Sequence, residues 1–318
     1  MILDRDDVPW RGYWPAAPTP FTADGALDED AWRELLRLYL RQGVHGVLVN
    51  GSTGEWFSQS PAERRRVAEI AVEVAGRIPV VVGVTAYTED EAIGLAEHAA
   101  ATGAGGVLAT PPPYVHPGPD EILAFYERVS SATDLPFMVY NWPRGVAVDI
   151  GDHPGLFERL ADLPNVAAIK DSTGDWLKML ATVEAVSDRV RVFGSFLHRR
   201  GLAVLLGLGG DGNIDGGGLG APFAVPFYEA VARRDEEAAR SFVDRYAALS
   251  SRLIRPDYSG VFASPIPQLK AAMAELGQPG GHVRPPLLPA TGAALDGIRA
   301  VLAESGLRAA LEPAGASS

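Results

Sequence analysis

The chain contains no cysteine, which excludes disulfides, thiolate catalysis and cysteine-based zinc or iron–sulfur sites. It is also poor in lysine: of 28 Lys plus Arg, only Lys170, Lys178 and Lys270 are lysines. Elsewhere positive charge is carried by arginine, which cannot be deprotonated in a protein. His45, His98, His116, His153, His198 and His282 form no H-x-H or H-x-x-x-H pair, so no histidine metal site is expected, and no acid cluster suggests a carboxylate one. No apolar run approaches membrane-spanning length, and the start, Met1-Ile2-Leu3-Asp4-Arg5-Asp6-Asp7, lacks the basic and apolar pattern of an export signal. A net charge of −12 argues against nucleic acid or an anionic membrane as partner. The expectation is a cytoplasmic protein with a small-molecule partner.

With 318 residues, 47% of them hydrophobic, the chain has length and apolar content for one large α/β barrel or two average domains. Strand-like runs at 13–17, 47–50, 80–84, 106–109, 137–140, 166–170, 190–193 and 212–215 alternate with helical patterns. Several helices carry start signals: Asp28, Thr88 and Asp175 as N-caps, and Ser60-Pro61-Ala62-Glu63 as N-cap, Pro at N1 and early acid. Eight strand–helix units predict a (β/α)8 TIM barrel over residues 1–234. Residues 235–318 are strandless and read as a C-terminal helical region, with helices at 235–254, 265–276 and 291–305 and a frayed end from Glu312.

The stretch with the most chemistry is Val166-Ala167-Ala168-Ile169-Lys170-Asp171. A short apolar run reads as a buried parallel strand, and its C-terminal end is where such barrels bind ligands. A lysine desolvated there can act as a neutral amine toward a carbonyl. The plain alternative is a strand-end lysine ion-paired to a neighbouring acid. Lys178 and Lys270 lie in helical patterns and read as surface lysines.

Gly51-Ser52-Thr53-Gly54-Glu55 follows the second strand directly; its backbone N–H groups and hydroxyls can hold a carboxylate. Tyr140 ends the fifth strand, where a buried phenol beside an amine can pass protons. A core tyrosine with a satisfied hydroxyl is the alternative. Tyr114 ends a proline-stiffened loop after the fourth strand. The Gly207 to Gly212 run matches G-x-G-x-x-G but follows a helix and precedes a strand, the reverse of the dinucleotide fingerprint. A sugar-phosphate barrel is disfavoured by the lack of a Gly-rich loop ahead of a helix.

Taken in order, these motifs resemble the dihydrodipicolinate synthase / N-acetylneuraminate lyase family. The resemblance runs from about Tyr13 to Leu288, through Thr19-Pro20-Phe21, Gly43-Val44-His45-Gly46, the Gly51–Glu55 loop, Pro112-Pro113-Tyr114, Tyr140-Asn141-x-Pro143, Ile169-Lys170-Asp171, Gly209 to Gly212, Pro265-Ile266-Pro267 and Arg284-Pro285-Pro286-Leu287. It implies the same barrel, a homo-oligomer (tetramer or dimer), and class I aldolase or hydro-lyase chemistry without metal or organic cofactor. Lys170 would form a Schiff base with pyruvate or a related 2-oxo acid. Ser52 and Thr53, in the Gly51 loop, would bind its carboxylate. Tyr140 would shuttle protons with Ser52 relaying, and Tyr114 matches a relay tyrosine that the family often takes from a neighbouring subunit.

Departures cluster on the wall for the second substrate. The synthases place a carboxylate-binding arginine two residues beyond the Tyr-Asn-x-Pro proline; here Gly145 stands there and Arg144 precedes it. Trp142 replaces a small aliphatic residue. The rim from Gly194 to Arg200 lacks the usual acidic pair, and Asp215 replaces a small residue after the eighth strand. The expectation is therefore a lyase other than the lysine-pathway synthase or a sialic acid lyase. Arg144, His198, Arg199, Asn213, Ile214 and Asp215 are its candidate specificity residues, with Arg144 and Arg199 candidates for an anionic tail. The competing reading is a catalytically silent barrel that binds a small 2-oxo acid as a sensor or regulator.

Overall fold

Seven of the eight short strand-like runs are buried on both faces and the eighth opens toward its end, as suits strands between a barrel interior and a helical shell. In the computed structural model, which describes residues 3–311, they form β1 Gly12–Ala16, β2 Val47–Val49, β3 Val80–Gly83, β4 Gly106–Ala109, β5 Phe137–Asn141, β6 Val166–Asp171, β7 Arg191–Phe193 and β8 Gly212–Gly216. All neighbours pair in parallel, and β8 returns to β1 to close the barrel. The helices are α1 Glu29–Arg41, α2 Pro61–Ala75, α3 Glu89–Thr102, α4 Pro119–Ser131, α5 Pro143–Val146, α6 Leu156–Ala161, α7 Trp176–Val186, α8 Arg199–Gly207 and α9 Ala221–Ala232. They are followed by α10 Glu236–Leu253, α11 Pro265–Glu275, α12 Ala293–Glu304 and α13 Leu307–Leu311. This is a (β/α)8 TIM barrel with C-terminal helices.

The caps work as their chemistry requires. Asp28, Thr88 and Asp175 each accept a first-turn N–H, and Ser60 and Glu63 form a reciprocal capping box behind Pro61. Boundaries differ from the sequence reading by a residue or two: β3 stops at Gly83, β6 runs on to Asp171 and β7 begins at Arg191. The four-residue α5 and five-residue α13 were not anticipated; both are too short to show a helical period. The segment expected to fray, from Glu312 onward, lies outside the described residues.

Strand alternation separates two cores. Inward side chains, among them Trp14, Leu48, Val81, Leu108, Met138 and Phe193, fill the barrel, while outward ones pack beneath the helices. Trp10 and Phe193 meet Trp14 edge-on at centroid distances of 5.9 and 5.2 Å, with Trp10 below the strands and Phe193 at the end of β7, where it lines the cavity above. Gly106 permits this placement, because a Cβ there would lie 2.4 Å from the Trp10 ring. The C-terminal ends of the strands are left for chemistry.

Lys270 is not the surface lysine its helical setting led us to expect. It is 4% exposed and reaches from α11 to Glu55 at 2.5 Å. It also donates to the carbonyls of Thr19 (2.8 Å) and His282 (2.6 Å). Helical period alone could not show this, because its partners are supplied by distant loops. Lys178 does lie near the surface, bonded to Asp149 (2.8 Å) and Asp152 (2.6 Å).

Candidate active site

β5 and β6 pair in a register that sets Tyr140 beside Lys170 and Asn141 beside Asp171. Because side chains alternate along a strand, Tyr140 and Lys170 point into the barrel, whereas Asn141 and Asp171 point out. The outward pair locks the strand ends. Asp171 accepts from Asn141 (2.9 Å), the Thr182 hydroxyl (2.7 Å) and the Thr173 N–H (3.0 Å). Asn141 also donates to Asp149 (2.9 Å) and accepts from the Ile150 N–H (3.0 Å).

Lys170 is 7% exposed, and its Nζ lies 3.7 Å from the centroid of the Tyr140 ring. Tyr140 in turn stacks on Trp142, with centroids 5.8 Å apart and planes 5° from parallel. Lys178 and Lys270 are bonded to carboxylates, but among the described residues Lys170 has no ion-pair partner. The strand-end ion pair considered from sequence is absent. Burial lowers the Lys170 ammonium to a pKa of about 7, with Asp215 pulling the other way. Burial pushes the Tyr140 phenol up, while Ser172 and Ser52 beside its hydroxyl hold it back.

Ser52 and Thr53 line the same cavity as Lys170 and Tyr140. Their loop is tight: Asn50 and Glu55 adopt positive φ (54° and 57°). A Cβ on Gly54 would lie 3.1 Å from the Ala17 carbonyl oxygen. Gly51 shapes the turn without lining the cavity. Glu55 anchors the loop from below through Lys270 and accepts the Arg284 N–H at 3.1 Å.

Arg144, Asn213, Ile214, Asp215, His198 and Arg199 also reach the cavity. Two of them are otherwise engaged. Arg144 donates to the Tyr258 carbonyl (3.0 Å), and Arg199 forms a two-pronged contact with Asp244 (2.8 and 2.7 Å). His198 caps α8, its Nδ1 accepting the Gly201 N–H at 3.1 Å, and meets Trp176 edge-on with centroids 4.7 Å apart. Asp215 accepts from the hydroxyls of Tyr13 (3.3 Å) and Tyr246. Tyr114 stands apart: it is 90% exposed and does not line the cavity of its own chain.

Several lining residues escaped the sequence reading. Ser172 follows Lys170-Asp171 directly, and its position after a strand end was an available signal. Tyr258 was not accessible in that way. It sits between α10 and α11, yet its hydroxyl donates to the Thr173 carbonyl (3.1 Å) and shares a hydrogen bond with Ser195 (2.8 Å).

Comparison with known proteins agrees with this geometry. A profile of the dihydrodipicolinate synthetase family matches residues 9–305. A 4-hydroxy-tetrahydrodipicolinate synthase from Phenylobacterium zucineum is 35% identical, over 95% of this chain and 99% of that protein. An uncharacterised DapA-like lyase from Rhizobium meliloti is 32% identical, over 94% and 96%. Among solved structures, the E. coli K12 prophage protein YagE in complex with pyruvate superposes with a TM-score of 0.85 at 27% identity, over 94% of this chain and all (100%) of that one. The dihydrodipicolinate synthase of Acinetobacter baumannii complexed with pyruvate gives 0.83 at 28% identity, over 93% and 99%. The barrel, its lysine-bearing sixth strand and these matches across nearly the whole chain have one reading: the protein belongs to the dihydrodipicolinate synthetase family.

Proposed function

We propose that the protein is a Schiff-base-forming lyase, an aldolase or hydro-lyase, acting on pyruvate or a related 2-oxo acid. The observation that carries this is Lys170: a buried, unpaired lysine at the barrel mouth whose amine is substantially neutral near pH 7. Ser52 and Thr53 supply hydroxyls for the substrate carboxylate in the same cavity. The Lys170 amine adds to the C2 carbonyl, and loss of water leaves an iminium. In a 4-hydroxy-2-oxo acid the C3–C4 bond then breaks, its electron pair passing into the iminium to give an enamine. The C4 hydroxyl loses its proton and becomes an aldehyde. Dehydration starts from the same iminium: loss of a C3 proton gives an enamine, which expels the C4 hydroxyl as water. Tyr140, kept protonated by burial, passes protons between substrate and the Ser52 and Ser172 hydroxyls.

The second-substrate wall supports an activity other than the lysine-pathway synthase. Gly145 and Trp142 are one change, because a Cβ at 145 would lie 2.1 Å from the Trp142 ring. With Trp142 stacked on Tyr140, no arginine fits at 145. The test is borohydride trapping with pyruvate, followed by peptide mapping. The expected adduct sits on Lys170 and is lost, with turnover, in a folded Lys170→Arg variant. Ligand binding without an adduct would instead mean a silent barrel that senses a 2-oxo acid.

A further inference from the structure

The cavity is larger than a 2-oxo acid requires. Its volume is about 1110 Å³, just above the roughly 300–1,000 Å³ typical of pockets for drug-sized ligands. A pyruvate unit accounts only for the space around Lys170, Tyr140, Ser52 and Thr53. The remainder has a direction. On β8, Ile214 packs inside the barrel, and the next residue, Asp215, points to the outer face, where Tyr13 and Tyr246 donate to it. Both line the same cavity, which therefore runs over the end of β8 and continues between the barrel and α10–α11.

This arm is walled by half-buried apolar residues: Tyr246, Ala247 and Ile254 from α10 and its C-cap, and Ile266 and Leu269 from α11. Gly217, at φ +73°, brings the end of β8 close against Leu269, where a Cβ would lie 2.5 Å from that side chain. The charged groups argue against an anionic occupant. Arg144 and Arg199 are engaged at the mouth, and Arg255 just past the end of α10 is bonded to the carbonyls of Gly260 and Val261. Arg200 is exposed at the rim, and the acid in the arm is Asp215. Ser250, Ser251 and Ser264 also line this side and the Gln268 amide is already bonded at both ends, so a polyhydroxylated chain would still set hydroxyls against Ala247, Ile254, Ile266 and Leu269 without partners.

We infer that this arm is the subsite for the part of the substrate beyond C3, and that this part is an uncharged apolar group of aryl size. The assignment rests on the Schiff-base reading for where the 2-oxo acid sits. Calorimetric titration of the full chain and of Lys170→Met with pyruvate, benzylpyruvate, 2-oxoglutarate and 2-oxogluconate tests it. Benzylpyruvate should bind both proteins tightest, by on the order of tenfold over pyruvate, and Ala247→Phe should remove that advantage by filling the arm. Tighter binding of 2-oxoglutarate or 2-oxogluconate, equal binding of all four, or an undiminished aryl advantage in folded Ala247→Phe would overturn the inference. Borohydride trapping separates the two claims. An adduct without aryl preference sinks the arm and leaves the Schiff base; aryl preference without an adduct does the reverse.

Discussion

A lysine held near pKa 7 inside a protein is a stability liability, and its size can be worked out. The ordinary value is 10.5 and the folded value about 7. The folded state therefore binds fewer protons than the unfolded state between these limits, so stability falls as pH drops from 10.5 to 7 and is then flat. At one pKa unit per 1.36 kcal/mol, the charged amine costs the fold about 4 kcal/mol at neutral pH relative to a neutral side chain. Near pH 9 this shrinks to about 2 kcal/mol.

Replacing Lys170 by methionine, similar in length and without a charge to desolvate, should therefore stabilise the protein while abolishing trapping. Urea unfolding of wild type and Lys170→Met at pH 6 and pH 9 reads both predictions. Lys170→Met should be the more stable at pH 6 by a few kcal/mol, and the gap should narrow by about 2–3 kcal/mol at pH 9. A gap that stays constant, or a variant no more stable than wild type at pH 6, would show that Lys170 is not held neutral. The basis for its nucleophilicity would then be gone.

Two further outcomes follow from the same geometry. Tyr140→Phe should retain the borohydride adduct on Lys170 but lose about 10²- to 10⁴-fold in turnover; an unchanged rate would remove the phenol from proton transfer. Lys270→Met should destabilise the fold by about 3–5 kcal/mol, because it leaves Glu55 buried and unpaired, and should raise KM for the 2-oxo acid by loosening the Ser52–Thr53 loop. Thermal unfolding and steady-state kinetics check this, and an unaltered KM would detach the ion pair from the site.

The legible parts of the molecule were those governed by local chemistry. Strand ends and helix starts could be read because alternation, N-caps and Pro61 act within a few residues. Lys170 stood out because lysine is scarce here and because it closes an apolar strand. Ser52 and Thr53 were visible between two glycines. The rest depends on packing between distant segments. Arg144 and Arg199 looked free in sequence, but the Tyr258 carbonyl and Asp244 that occupy them come from the region after β8. Tyr258 itself reaches Thr173 across a separation of 85 residues, which no motif spacing encodes. Asp215 was noticed as a departure, but its contacts with Tyr13 and Tyr246 appear only once β1, β8 and α10 are assembled.

The lysine scarcity that drew attention to Lys170 has a structural counterpart in the other two. Lys270 bonds Glu55 and the carbonyls of Thr19 and His282. That arrangement suits the three rotatable donors of a compact ammonium better than a planar guanidinium. It fixes the floor of the Ser52–Thr53 loop. Lys178 joins Asp149 and Asp152, and Asp149 in turn receives the Asn141 amide, one residue from Tyr140. One lysine thus braces the loop expected to hold the carboxylate, and another braces the strand end that carries the phenol. Among the described residues the third, Lys170, has no ion-pair partner and faces the Tyr140 ring. Of the three, Lys170 alone lines the cavity among the described residues; the other two act on it through the loop and the strand end that they brace.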